Sequence, residues 1–180
     1  MTVTIPAWVD GKIQPVEKLE VHLKGFKHKA ISVFMVCRQE ILIQRRALGK
    51  YHTPGLWANT CCTHPNWEED AKVCAIRRMN EELGLEDTLP VYRDTIEYRA
   101  DVGGGLIEHE VVDLFVIHVH QKPNVRLNLD EVMDVRWIDY HVLQDEVSRS
   151  PEKFTPWLRI YIKEHASTIF NKFLAINSVS

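Results

Sequence analysis

Apolar positions along this chain repeat with different periods in different stretches. Ala30-Ile31-Ser32-Val33-Phe34-Met35-Val36 is a nearly unbroken apolar run and predicts a buried strand. A short polar turn follows, and Ile41-Leu42-Ile43-Gln44-Arg45-Arg46 predicts its hairpin partner. Pro54-Gly55 breaks the chain before another strand, expected from Trp57 to His64. The period then changes. Ala71, Cys74, Ala75, Met79 and Leu83 recur at helical spacing, which predicts a helix from about Trp67 to Leu83, stopped by Gly84. Strand patterns return from Tyr92 to Ala100, from Ile107 to His120 and from Val132 to Ile138, with a loop expected over Asp101-Val102-Gly103-Gly104-Gly105. Asp10-Gly11 is a hairpin turn, Asp139 can cap a short helix, and Pro156 opens a last helix running to about Leu174. Leu158, Ile162, Ile169 and Phe173 form the apolar stripe of that helix. Mixed strands with a few helices predict an α/β (α+β) sandwich.

With 180 residues the chain fits one domain, 1–180, and 45% apolar content allows a substantial core. The net charge of −3, with both signs interspersed, excludes a polybasic nucleic-acid groove or membrane anchor. An anionic ligand must therefore be met by local Lys and Arg. The opening Met1-Thr2-Val3-Thr4-Ile5-Pro6 lacks the charged and apolar regions of a signal peptide, and no apolar run is long enough to span a bilayer. Cys37, Cys61, Cys62 and Cys74 have no framework spacing, so a cytoplasmic protein with reduced thiols is expected.

The chemistry concentrates in Asn59-Thr60-Cys61-Cys62-Thr63-His64-Pro65. On an extended strand Cys62 and His64 share a face, which sets a proton donor beside a metal ligand. On the long strand Glu108 and Glu110 also share a face, and Val112, Leu114 and Val116 continue it into apolar surroundings. Two buried carboxylates repel unless something positive lies between them. A cation is the simplest partner, and an Arg or Lys pair is the alternative. His22, His28 and His64 can supply nitrogen ligands, making a set of three imidazoles and two carboxylates suited to Mn²⁺, Mg²⁺ or Zn²⁺. His52, His109, His118, His120, His141 and His165 are read as structural. Glu81 and Glu82 follow Arg77 and Arg78 by four positions, the spacing of helix-face ion pairs. Arg45, Arg46 and Lys50 cluster at a strand end, where they can clamp phosphate oxygens or simply solubilise.

These residues resemble the type I isopentenyl-diphosphate isomerases, a branch of the Nudix superfamily, from about Lys18 to Trp157. The resemblance rests on Gln44-Arg45-Arg46-Ala47, Trp57 to Pro65, Arg77-Arg78-Met79-Asn80-Glu81-Glu82-Leu83-Gly84, Tyr98-Arg99-Ala100, Glu108-His109-Glu110, Asp130-Glu131-Val132-Met133-Asp134 and Thr155-Pro156-Trp157, in that order. The general Nudix box ends Arg-Glu-apolar-X-Glu-Glu-X-Gly. Here Arg78 replaces the first of those glutamates and Thr63 replaces the opening glycine, while Glu69, Arg77, Glu81 and Glu82 remain. A Nudix hydrolase uses the missing glutamate in binding the metals that activate water, so its loss disfavours diphosphate hydrolysis.

The resemblance implies a Nudix-like mixed sheet with flanking helices, extended at both ends. It implies conversion of isopentenyl diphosphate to dimethylallyl diphosphate in isoprenoid biosynthesis. By the same likeness, His22, His28, His64, Glu108 and Glu110 hold one divalent metal, Mn²⁺ or Zn²⁺, and Glu82 holds a second, Mg²⁺, with the substrate. Lys18, Arg46, Lys50 and Arg78 contact the phosphates. Cys62 and Glu110 are the proton-transfer pair, Tyr98 assists, and Trp157 faces the hydrocarbon. Other readings of these residues are a small buried hydrophobe or zinc ligand at Cys62 and core packing at Trp157. The partner expected is a small isoprenoid diphosphate, with no nucleic acid or membrane, and the protein is expected to be a monomer. A Nudix hydrolase and a non-catalytic diphosphate- or metal-binding domain are the competing functions.

Overall fold

The computed structural model describes residues 3–174, with side chains described through Phe170. Its organising element is β3, Lys27–Cys37, which predominantly apolar residues make suitable for burial on both faces. Around it lie β1 (Thr4–Val9), β2 (Lys12–Glu17), β4 (Glu40–Arg46), β5 (Trp57–Ala58), β6 (Cys61–Thr63), β7 (Val91–Gly103), β8 (Leu106–Val119) and β9 (Val132–Asp139). The helices are α1 (Lys18–Lys24), α2 (Ala71–Leu83), α3 (Tyr140–Arg149), α4 (Pro156–Glu164) and α5 (Ala166–Leu174).

Strand β8 runs parallel to β3 over its whole length, from Lys27 opposite His109 to Cys37 opposite Val119. Strand β7 lies antiparallel on β8, β4 pairs with the far end of β3, and β9 pairs with β4. Because side chains alternate along β3, two cores form. Ala30, Phe34 and Val36 pack with Val112, Leu114 and Val116 against Leu143, Leu158, Tyr161 and Phe170 of the C-terminal helices. Ile31, Val33 and Met35 pack with Phe115 and Ile117 against Cys74, Ala75, Met79 and Leu83 of α2. The result is the mixed sheet with flanking helices that the resemblance implies, in keeping with the α/β sandwich that the pattern predicts.

Four boundaries differ from the sequence reading. Helix α2 starts later than Trp67, because Asp70 caps it by accepting from the N–H groups of Lys72 and Val73. Strand β7 runs on to Gly103, where a loop was expected, and Gly104 and Gly105 take positive φ to make the tight return to β8. The strand expected from Trp57 to His64 is two short pieces. The last helix is also two, parted at His165, and Phe173 on its expected stripe lies outside the described side chains. Helix α1 was not anticipated. Glu17 caps it and Gly25 closes it in the left-handed conformation. The Asp10-Gly11 turn, the Asp139 cap and the Thr155-Pro156 helix start all form.

Candidate active site

The break in the Trp57–His64 segment aims Cys62. Strand β5 pairs with β4, whereas β6 pairs with β3, so the chain must cross between them. The Asn59 and Thr60 side chains hydrogen-bond backbone groups at the crossing. Thr60 Oγ1 accepts from the Met35 N–H at 2.7 Å and donates to the Leu42 carbonyl at 2.6 Å. Asn59 Nδ2 donates to the carbonyls of Val33 and Cys61 at 3.1 and 2.8 Å. This pins β6, with Cys62 opposite Ser32. Cys61 faces the α2 core, while Cys62 and His64 face a cavity of about 270 Å³. Burial pushes the Cys62 thiol up to about 12, with Arg46 opposing and Glu82 adding to the shift, so the sulfur keeps its proton at neutral pH.

Beneath the thiol lies a cage of imidazoles and carboxylates. His28 on β3 is opposite Glu110 on β8, and Tyr98 on β7 is opposite Glu110 from the other side. His22 comes from α1. Its Nδ1 lies 2.6 Å from the Lys18 carbonyl, and His28 Nδ1 lies 2.8 Å from the Phe26 carbonyl. A carbonyl only accepts, so both rings donate from Nδ1, which leaves Nε2 as the atom offered to a ligand. The ligand atoms of His22, His28 and His64 all lie within 4.8 Å of one another. His28 Nε2 is 3.2 Å from His64 Nε2, which is 2.9 Å from Glu110 Oε1. Imidazole nitrogens grouped this closely with carboxylate oxygens suit a divalent cation, and carbonyl-oriented imidazoles are the usual support of such a site.

The carboxylates show the same stress. Burial first, and then the neighbouring Glu110, push Glu108 well above the usual carboxylate range. Burial acts to raise Glu110 too, but His28 and His64 outweigh it and hold that carboxyl well below. His64 itself is held far below its ordinary value by burial, so the pair is best described as a neutral imidazole donating to an ionised carboxylate. Tyr98 Oη lies 2.9 Å from Glu108 Oε2 and 2.6 Å from Glu110 Oε2, so its one proton serves both.

Cations ring the cavity above this cage. Lys18, Arg46, Lys50 and Arg78 all line it, as does Trp157. The Arg46 guanidinium stands 5.2 Å from the centre of the Trp157 ring. Arg46 Nε and Trp157 Nε1 are buried without a partner, two donors directed at nothing in the protein. Burial lowers Lys18 to about 8, helped by the like charges of Lys50 and Arg78. Glu131 pairs with Lys50 and, at 3.3 Å, with Arg78, and so holds the rim together.

Cys62, His64, Glu108, Glu110, Tyr98, Trp157, Lys18, Arg46, Lys50 and Arg78 thus share one cavity, and the ligand atoms of His22 and His28 lie within 4.8 Å of that of His64 in its lining. Glu82 does not line it. One of its oxygens takes Arg78 Nη2 at 2.6 Å and the other takes Gln44 Nε2 at 3.0 Å. Arg77 meets Glu81 at 3.0 Å, so both helix-face ion pairs form. The sequence reading set His52 aside as structural, and the ring is buried with Nε2 3.2 Å from Glu108 Oε1. Glu131 was also given no role, although it lies inside one of the matching segments.

The NUDIX domain family matches residues 26–158 of this chain. An isopentenyl-diphosphate Delta-isomerase of Ruegeria pomeroyi is 61% identical over 178 residues, covering 99% of both chains. One from Cereibacter sphaeroides is 58% identical over 172 residues, covering 96% of this chain and 97% of its own. One from Jannaschia is 59% identical over 170 residues, covering 94% and 97%. Among solved structures, a Deinococcus radiodurans protein superimposes with a TM-score of 0.71 at 10% identity, over 89% of this chain and 97% of that one. A MutT NUDIX hydrolase from Burkholderia pseudomallei gives 0.59 at 19% identity, over 77% and 97%. The structural likeness carries the fold, and the sequence relatives carry the branch. With the box glutamate replaced by Arg78 and a cysteine facing the paired carboxylates, the chain belongs to the NUDIX domain family and, within it, to the isopentenyl-diphosphate Delta-isomerases.

Proposed function

We propose that this chain converts isopentenyl diphosphate to dimethylallyl diphosphate by moving its double bond through a tertiary carbocation. One observation carries the reading: a protonated thiol and an ionised carboxylate, Cys62 and Glu110, border the same cavity beneath Trp157. An unactivated alkene is a very weak base, and the cation formed on protonating it is captured by water. The site must deliver a proton to one carbon, remove one from another, and stay dry. Cys62 on β6 and Glu110 on β8 flank β3, so they reach the substrate from different sides. Protonation of the terminal methylene carbon leaves the cation on the tertiary carbon, and loss of a proton from the neighbouring internal methylene gives the product. The donor of the pair ends the turnover one proton short and the acceptor one proton over, and exchange with solvent resets both, with Tyr98 Oη bonded to Glu110. The Trp157 face stabilises positive charge without offering a nucleophile, worth about 2 kcal/mol when desolvated. Lys18, Arg46, Lys50 and Arg78 hold the diphosphate at the mouth, with the unpartnered Arg46 Nε among the donors.

His22, His28, His64, Glu108 and Glu110 would hold Mn²⁺ or Zn²⁺, whose charge, when bound, keeps both carboxylates ionised and makes neighbouring protons more acidic. Mg²⁺ is proposed with the diphosphate at Glu82, which requires Arg78 to turn from Glu82 to the phosphates. The further proposal is one domain, acting as a monomer in the cytoplasm. Among the described residues no helix is long and apolar enough to cross a membrane.

Incubation with isopentenyl diphosphate and Mg²⁺ in deuterated water, followed by proton NMR and a phosphate assay, tests the reading. Deuterium-labelled dimethylallyl diphosphate without phosphate release is the expected result. Phosphate release without double-bond movement would transfer the chain to the hydrolases. Neither signal from metal-loaded protein would leave a binding domain.

A further inference from the structure

We propose that Glu131 is a displaceable counter-ion of the headgroup site: its carboxylate holds Lys50 and Arg78 until the diphosphate replaces it, and returns as the product leaves. The inference rests on the reading of Lys18, Arg46, Lys50 and Arg78 as the diphosphate site and adds the residue that sets its affinity. Glu131 stands just before β9, where the pairing of β9 with β4 shifts register between Arg45 and Arg46. Its side chain lines the same cavity as the four cations. Oε2 takes the Lys50 ammonium, and Oε1 lies 3.3 Å from Arg78 Nη2. Its charge also opposes the effect of Lys50 and Arg78 on Lys18, so it acts on three of the four cations. Burial acts to raise this carboxyl, but Lys50 and Arg78 outweigh it and hold it below the usual carboxylate range, which leaves it ionised at neutral pH. A cavity read as a phosphate site thus holds an anion of its own.

Two anions cannot share these donors, because like charges at contact distance repel strongly in a partly buried site. The main chain does not give way. The Glu131 N–H donates to the Asn128 carbonyl and the Glu131 carbonyl accepts from the Ala47 N–H, both at 3.0 Å, while the Asn128 N–H is tied to the Glu82 carbonyl of α2. The side chain is 25% exposed, so displacement is a change of rotamer with β9 in place. Arg78 keeps Glu81 at 3.0 Å when it is released. The reaction explains why such a competitor is useful. Substrate and product carry the same diphosphate, so headgroup contacts bind both alike. Binding of that kind lowers KM without raising kcat, and it holds the product as firmly as the substrate. A carboxylate that is displaced on entry and re-forms its ion pairs on exit trims this uniform term, and it offsets the mutual repulsion of Lys50 and Arg78 while the site is empty.

The test titrates full-length protein with inorganic pyrophosphate in Mg²⁺ buffer and reads the dissociation constant by calorimetry. Glu131→Gln keeps the size and removes the charge, and should bind pyrophosphate at least about tenfold more tightly than the wild type. Its KM for isopentenyl diphosphate should fall in the same direction. Glu131→Asp keeps the charge and should bind no more tightly than the wild type. Unchanged or weaker binding by Glu131→Gln overturns the inference, since the carboxylate would then be a strut for Lys50 and Arg78 or a ligand of Mg²⁺. Should Glu131→Gln fail to fold, carboxyl-carbon spectra of the wild type labelled with ¹³C-glutamate decide. Pyrophosphate should move the Glu131 resonance, identified by its absence from Glu131→Asp, and a resonance unmoved at saturation overturns the inference alone. Wild-type protein that binds no pyrophosphate overturns the headgroup site with it.

Discussion

At Cys62 a small change in chemistry separates a proton carrier from an inert core residue. Burial pushes the thiol up to about 12, so in the proposed reaction it enters the cycle protonated. Cys62→Ala should leave the far-UV circular dichroism unchanged and cut kcat by roughly 10²–10⁴-fold, the usual worth of a positioned acid or base. Full turnover by the variant would remove Cys62 from the chemistry. The buried histidines make a second, thermodynamic prediction. Burial lowers His22 from 6.5 to about 4, so the unfolded chain takes up a proton there before the folded one does. Stability from this group is complete above pH 6.5 and is lost as pH falls from 6.5 through 4, by about 3 kcal/mol in all. His52, lowered to about 2, adds a loss of the same sign over a wider range. Urea unfolding of EDTA-treated protein between pH 7 and 5 should show falling midpoints. A flat profile would mean the rings are not buried neutral.

Helix α2 carries Arg78 and Glu82, and its two ends are built differently. Asp70 caps the start through its side chain. At the other end Gly84 adopts φ +63°, and a Cβ there would lie 2.9 Å from Arg126 Cβ and 3.0 Å from the Arg126 carbonyl. The close approach exists because the Arg126 and Asn128 N–H groups bond the last carbonyls, Leu83 and Glu82, at 2.9 and 3.0 Å. That contact ties α2 to the segment leading to Glu131. Gly84→Ala should lower stability by at least about 1–2 kcal/mol from the left-handed conformation alone. Equilibrium urea denaturation measures it, and an unchanged midpoint would contradict the geometry. Because Arg78 reaches both Glu82 and Glu131, KM for the diphosphate should rise in the same variant.

For the whole molecule the cage is the junction. His22 comes from α1, His28 from β3, His64 from the end of β6, and Glu108 and Glu110 from β8. An ion joining them binds the folded chain and not the unfolded one. At a hundred times its dissociation constant it should add about 2.7 kcal/mol, raising the melting temperature by roughly 5–10 °C over the EDTA-treated protein. Equal melting curves with and without Mn²⁺ or Zn²⁺ would argue against a cage that spans the fold. Period and turn chemistry were enough to read β3, β4, β8, β9 and α2, because one apolar face or run of each is dictated by local spacing. The strand alternation that sets Cys62 with His64, and Glu108 with Glu110, was legible for the same reason. The crossing at Asn59-Thr60 was not, since it depends on β5 and β6 choosing different partners. Nor was the break at His165, where φ −122° and ψ 12° end α4. Glu131 shows the general limit. A rim residue on a loop has no period to announce it, and its contacts exist only once distant segments are folded to within a few ångströms of one another.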